Sequence, residues 1–350
     1  MRVAVVGASG NIGTAFLRWV AAERDVTVVG VSRRKPPLPP PREVEWCTAD
    51  VADPAGAAAL RRAFAGADAV VNLAWASGPG HDEDLARRTN VDGAERVATA
   101  AVEAGVPHLV ALSSIGAYSP APKDRRTSED WPTDGVGSSP YSRQKAAVER
   151  IMDRVEHAHP DLLVTRVRPA LVLPRPGTGE TRRDAGPTPP PQVFRLARRR
   201  LPVLPLPSRL VLQFVHADDV ADAVLRILRR RVPGAFNLAA EPALPPRRLA
   251  DLLGARHAPV PLSAARAAAW VRWTLRARPS SPGWVDLAAA IPLLSTERAR
   301  AELGWRPGRS AEEAVTEALS GLPDRPGWAA GAARRPWGDR SEHAVRPALP

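Results

Sequence analysis

The chain has 350 residues, 44% hydrophobic and 25% charged, which excludes a peptide-sized module and suits one large globular domain or a large one with a smaller companion. A formal net charge of +12 raises nucleic acid or an acidic membrane as partners. The runs Arg198-Arg199-Arg200 and Arg229-Arg230-Arg231 fall at expected helix ends, however, where cations suit the dipole and face solvent, so neither partner is expected.

The first 170 residues alternate short β-rich runs with amphipathic stretches. "RVAVVG" is followed by a helical run from Asn11, then "VTVVGVS", "VEWCTAD", a helix after Pro54, "DAVVNLA", a helix near 84–104 and "HLVALSS". This alternation predicts βαβ units, an α/β fold with a doubly wound parallel sheet covered by helices on both faces. After the strand in "LLVTRVRPALVLP", residues 174–192 turn rich in Pro and Arg and read as a loop. "LVLQFVHADDVADAVLRILRR" predicts a strand running into a helix with Asp218 and Asp219 in its first turn.

The rest, to about 320, is expected to be mostly helical, with one short strand at "AFNLAA" and a capping box at Ser310 and Glu313. Residues 322–350 mix Pro, Gly, Arg and isolated Trp without periodicity and are expected to form a disordered tail. The single cysteine, Cys47, leaves no internal disulfide and no cysteine metal site; no metal is expected. With neither a leader-like start nor a run of about 20 apolar residues, the expected location is cytoplasmic, without a membrane partner.

"VVGASGNIG" places Gly7, Gly10 and Gly13 between strand one and helix one, where glycines let backbone approach a pyrophosphate at a helix N-terminus. Strand two ends in Ser32, Arg33 and Arg34 with no carboxylate, which favours NADP as the cofactor, with NAD possible. Asp50, closing "CTAD", is either a partner of the adenine edge or a turn residue.

Of 49 basic residues only Lys35, Lys123 and Lys145 are lysines, which marks those three as candidates for chemistry that arginine cannot perform. One of them stands four positions after one of only two tyrosines, in "YSRQK". At that spacing Tyr141 and Lys145 share a helix face, and an ammonium beside a phenol favours the phenolate. The pair is read as an acid/base with its supporting cation. "LVALSS" puts Ser113 and Ser114 at the carboxyl edge of the sheet, where open α/β folds bind ligands.

Across roughly residues 1–320 the chain resembles the extended short-chain dehydrogenase/reductase superfamily, that is, NAD(P)-dependent epimerases, dehydratases and reductases. The resemblance rests on "GASGNIG", "NLAW", "TNVDGA", "LSSIGAY", "YSRQK", "RPALV", "FVHADDVADA" and "RARAELGWRP". It implies a Rossmann domain over 1–170, with 211–238 returning to it, and a smaller substrate domain from 171–210 and 239–321. It implies Tyr141 as general acid/base, Lys145 on the nicotinamide ribose, Ser114 orienting the reacting oxygen, and Asn90 placing the lysine and a relay water. Candidate cofactor contacts are then Gly7, Ser9, Gly10, Asn11, Ile12, Gly13, Ser32, Arg33, Arg34, Asp50, Val51, Leu73, Ala74, Trp75, Tyr141, Lys145 and Arg168.

Departures narrow the chemistry. Ile115 and Gly116 stand where the family's dehydratases carry an Asp-Glu pair. Leu171 and Leu212 stand where nucleotide-sugar epimerases place an Asn and a diphosphate-binding Arg. His216 reads as structural, and Trp270, Trp273 and Trp284 as either pocket wall or core.

The resulting expectation is an oxidoreductase moving a hydride to or from a carbonyl or secondary alcohol of a small metabolite. A sugar epimerase and a non-catalytic cofactor sensor are the alternatives. The resemblance also implies a homodimer through the helices near 84–104 and 141–158.

Overall fold

The computed structural model describes residues 1–36, 43–76, 83–175, 203–275 and 281–320. The region expected to be a loop therefore lies outside the described residues from 176 onward, as does the whole expected tail.

Seven strands form one fully parallel sheet: β1 (Arg2–Val6), β2 (Thr27–Ser32), β3 (Glu45–Thr48), β4 (Ala69–Asn72), β5 (His108–Leu112), β7 (Leu163–Pro169) and β11 (Gly234–Leu238). Their spatial order is β11-β7-β5-β4-β1-β2-β3, so the winding reverses between β1 and β4. Strands buried on both faces need apolar residues on both, which explains runs such as "VAVV" with no polar alternation. Val3 and Val5 enter one core layer with Phe16 and Leu17, while Ala4 and Val6 enter the other with Leu60, Phe64 and Val97.

The first layer lies under α1 (Asn11–Val20) and α6 (Ala217–Arg230), and the second under α2 (Ala57–Phe64), α4 (Gly93–Glu103) and α5 (Pro140–Ala158). The helix expected over 84–104 is interrupted. α3 (Glu83–Arg87) passes through a π turn, Arg88–Asp92, before α4 begins, and that turn holds Asn90. π-bulges of this kind tend to accompany functional sites.

The C-terminal half departs further from expectation. "LLVTRVRPALVLP" is two strands, since Ala170 donates its amide to Leu238 and β8 (Leu171–Leu173) leaves the main sheet. β8 pairs in parallel with β10 (Leu212–His216), which also pairs with β12 (Ala240–Leu244). The segment 211–238 thus rejoins the large sheet only through α6 and β11. Where one strand was expected after 211–216, the chain also forms β12, β13 (Arg256–Val260) paired with β9 (Val203–Pro207), and β14 (Leu293–Leu294) paired with β6 (Arg126–Thr127). The helices there are α7 (Pro246–Leu252), α8 (Leu262–Thr274), α9 (Gly283–Ala290), α10 (Glu297–Leu303) and α11 (Ala311–Ser320).

The capping box is formed, with Glu313 donating its amide to Ser310 Oγ at 3.2 Å and Ser310 donating its amide to the Glu313 carboxylate at 2.7 Å. His216 is structural, as read. Fully buried, it caps α6 by accepting the Asp218 amide on Nδ1 at 3.1 Å, and burial pushes its pKa down to about 3. Among the described residues no helix is long and apolar enough to cross a membrane.

Asp219, in the first turn of α6, is buried against Gly308 and Trp305, and burial raises its pKa to about 7. A carboxyl whose folded pKa lies above its unfolded value contributes stability below pH ~4 and loses it as pH rises through about 7. The variant Asp219→Asn should therefore narrow the gap between the thermal midpoints at pH 5.5 and pH 8.5 by about 2 °C or more in scanning calorimetry.

Candidate active site

The first βα turn presents an anion-binding end. Gly7 adopts φ +80°, a left-handed backbone that favours glycine, and a Cβ on Gly13 would lie 2.4 Å from the Gly7 carbonyl oxygen. Gly10 caps α1 with no side-chain hydrogen bond, and the first turn carries no acidic residue. Ser9, Asn11 and Ile12 complete this turn. A helix start with open amides and close-packed glycines fits a dinucleotide pyrophosphate.

At the end of β2, Ser32 Oγ donates to the Arg34 carbonyl at 2.8 Å and the arginines Arg33 and Arg34 stand exposed. Asp50 accepts the Ala52 amide at 2.9 Å on one carboxylate oxygen, and Val51 is buried beside Gly93. Leu73 closes the end of β4 by donating its amide to Val6 at 2.8 Å, and Ala74 packs against the glycine turn near Gly7.

The structure brings Ser114, Tyr141 and Lys145 together at the carboxyl edge of the sheet. α5 starts with Ser139 as N-cap and Pro140 in its first turn, and presents Tyr141, Lys145 and Glu149 at successive four-residue intervals on its buried face. Ser114 ends the segment after β5, and its Oγ accepts the Gly116 amide at 3.0 Å. Gly116 is required by packing, because a Cβ there would lie 2.6 Å from Tyr141 Cε1. The ring of Tyr141 fills the space in which the dehydratase acid would have to begin.

The expectation that the ammonium lowers the phenol's pKa is not met in this arrangement. Burial raises the Tyr141 phenol well above its ordinary value, and the hydrogen bond with Ser114 only opposes it. Burial likewise pushes Lys145 down to about 7, with the Glu149 carboxylate pulling the other way. Lys145 Nζ donates to the Leu112 carbonyl at 2.9 Å and stands 3.6 Å from the ring centroid of Trp75, against 6.0 Å from that of Tyr141. Trp75 also meets Tyr141 edge-on at 5.4 Å, and Trp284, on α9, packs on Tyr141 at 5.1 Å. Of the other tryptophans named from sequence, Trp270 is 58% exposed on α8.

Asn90 acts on the segment after β4. It accepts the Ala76 amide at 2.6 Å, donates to the Ala76 carbonyl at 3.0 Å, and donates to Gln144 Oε1 at 2.7 Å. Gln144 was not singled out from sequence, although it sits inside "YSRQK".

Arg168 corrects a sequence expectation. Its Nε and Nη2 form a bidentate pair with Glu149 at 2.8 and 2.9 Å, and its Nη1 donates to Tyr118 Oη and the Glu129 carbonyl. With its donors committed inside the protein, Arg168 supports the architecture and is not presented to a cofactor. Leu171 and Leu212 are both buried in the core.

The chain matches the NAD dependent epimerase/dehydratase family over residues 3–239. It is 28% identical over 334 residues to a dTDP-6-deoxy-L-talose 4-dehydrogenase (NAD(P)(+)) from Kitasatospora kifunensis, covering 90% of this chain and 94% of that protein. Over 179 residues it is 31% identical to an NAD-dependent glucose-6-phosphate dehydrogenase from Haloferax volcanii, covering 47% of this chain and 66% of that protein. Its fold is shared with a UDP-glucose 4-epimerase from Thermus thermophilus solved with NAD, at a TM-score of 0.67 and 22% identity, covering 92% of this chain and 98% of that one.

Replacing Asn90 by Ala removes three hydrogen bonds at once and leaves the partly buried Ala76 amide and carbonyl without them. A loss of about 1–3 kcal/mol is expected. Calorimetry should show a midpoint lowered by about 2–6 °C, and a smaller drop for Gln144→Ala, which removes one of the three.

Proposed function

This chain belongs to the NAD dependent epimerase/dehydratase family, and we propose that it is an oxidoreductase that prefers NADP(H), accepts NAD(H), and interconverts a secondary alcohol and a carbonyl. The observation that carries this reading is the convergence of Ser114, Tyr141 and Lys145 at the sheet edge, beside the open N-terminus of α1.

Gly7, Gly10 and Gly13 would hold the pyrophosphate, Arg33 and Arg34 a 2′-phosphate, and Lys145 the nicotinamide ribose. The bound dinucleotide supplies the carbon that gives or takes the hydride. Ser114 Oγ accepts the Gly116 amide and shares a hydrogen bond with Tyr141, so on substrate binding its proton would turn from Tyr141 to the substrate oxygen. In the reduction direction Tyr141 Oη gives its proton to that oxygen, and in oxidation it takes the proton back. Lys145, once moved from Trp75 to the nicotinamide ribose, would bring a positive charge toward the resulting phenolate and stabilise it.

The relatives named above are called dehydrogenases of glucose 6-phosphate and of dTDP-6-deoxy-L-talose, which supports a sugar or sugar-like alcohol as substrate, although the second of these carries a nucleotide diphosphate. The buried leucines at 171 and 212 supply no charge for a nucleotide diphosphate, so the substrate is proposed to lack one. With Gly116 where an acid would stand, a redox reaction without water elimination is the better fit.

The variant Tyr141→Phe should lower turnover by about 10²–10⁴-fold, with the dissociation constant for dinucleotide changed by less than about threefold. Unchanged turnover on the substrate of the parent enzyme would sink the assignment. Replacing Arg33 and Arg34 by Ser together should weaken NADPH by about tenfold or more in a fluorescence titration, while NADH binding stays within about twofold.

A further inference from the structure

Trp75 stands in an unusual relation to the residues proposed as catalytic. Lys145 is only 2% exposed, and its ammonium is covered on one side by the Leu112 carbonyl and on another by the Trp75 ring, 3.6 Å from its centroid. An ammonium at that distance over an indole is held by the ring quadrupole, and more strongly when water is excluded. The indole makes no compensating polar bond, because its buried Nε1 has no hydrogen-bond partner among the described residues. Trp75 is therefore held by Lys145 and Tyr141 alone among polar and aromatic contacts of the described residues.

The backbone around it is fixed. Leu73 is bonded to Val6, the Ala74 amide to Asn72 Oδ1, and both backbone groups of Ala76 to Asn90. Movement of the indole is thus a side-chain rotation about a pinned backbone.

We infer that Trp75 and the nicotinamide ribose of the cofactor compete for the same face of Lys145, so that Trp75 must rotate off the ammonium before the nicotinamide half of the dinucleotide is held. This rests on the proposed role of Lys145 in binding that ribose. Trp75 is in this sense a positioning residue: it stores Lys145 as a dehydrated cation and releases it to the ribose hydroxyls. The adenosine half, bound at Arg33, Arg34 and the glycine turn, is recognised without displacing it.

The test is calorimetric titration of the full chain and its Trp75→Ala and Trp75→Phe variants with NADPH and NADH, and with the adenosine fragments 2′,5′-ADP and ADP. Removing the indole should tighten whichever dinucleotide binds by about 3- to 30-fold, the range of a partly to fully desolvated cation–π contact, and leave the fragments within about twofold. Trp75→Phe, which keeps a smaller ring over the ammonium, should fall between. Weaker dinucleotide binding by Trp75→Ala, or an equal shift for dinucleotide and fragment, would overturn the inference and leave the proposed function standing. Failure of the folded parent protein to bind either dinucleotide would overturn both.

Discussion

The Glu149 carboxylate is the group on which the placement of α5 depends. At 1% exposure it cannot remain charged without partners. Burial alone would raise its pKa, but the bidentate bond from Arg168, the hydroxyl of Ser113 and the charge of Arg166 outweigh that and hold it below the usual carboxylate range. Ser113 follows β5 and the two arginines lie on β7, so the ion cluster ties α5 to two adjacent strands of the sheet. Removing one member of such a cluster costs about 3–5 kcal/mol, because the others stay buried without compensation. Lys145 and Tyr141 sit one and two turns before Glu149 on the same helix, and their placement follows from this anchor.

The same network reaches into the second half of the molecule. Arg168 donates to Tyr118, whose hydroxyl donates to Asn237 Oδ1 at 2.8 Å, and the backbone amide of Asn237, in β11, donates to the Glu129 carboxylate. The site is thus bounded beneath by a connected network of buried polar groups. Above it lie two indoles, one after β4 and one on α9, which close around the Tyr141 ring. Tyr141 is the point where the large sheet and the C-terminal elements meet, so its raised pKa reflects that enclosure more than any single neighbour.

Local pattern made the nucleotide-binding half legible. Apolar strands alternating with amphipathic helices can pack only as a covered parallel sheet, and the glycines of 7–13 and the pair Tyr141/Lys145 stand out by type and spacing. The smaller sheets were not legible, since β8, β10 and β12 pair across long stretches of chain and each strand is short. "LVTRVRPALVLP" reads as one strand because nothing local marks the bend at Ala170. Arg168 reads as a ligand from the resemblance alone, whereas its partner Glu149 is separated in sequence and visible only as an acid on a buried helix face. Trp75 was placed near the cofactor by motif alone, and its contact with Lys145 depends on a side-chain direction that spacing does not encode.

The scarcity of lysine gains a physical explanation from this arrangement. Two of the three lysines are largely buried and have lowered pKa values: Lys145 at about 7, and Lys123 at about 8, where it donates to the Val211 and Ala288 carbonyls. In both, burial is the dominant cause. A guanidinium remains charged at any accessible pH and is a broad planar fork, so it suits the bidentate bond of Arg168 to Glu149 but not a position where charge must be light to bury and free to change partners. An ammonium is compact enough to sit 3.6 Å from an indole centroid while donating to one carbonyl, and its remaining protons are held by the ring rather than by fixed oxygen partners. Arginine serves where this chain needs a planar, permanently charged structural cation, as in the Arg168–Glu149 pair, and the two lysines with lowered pKa values occupy enclosed positions bonded to backbone carbonyls.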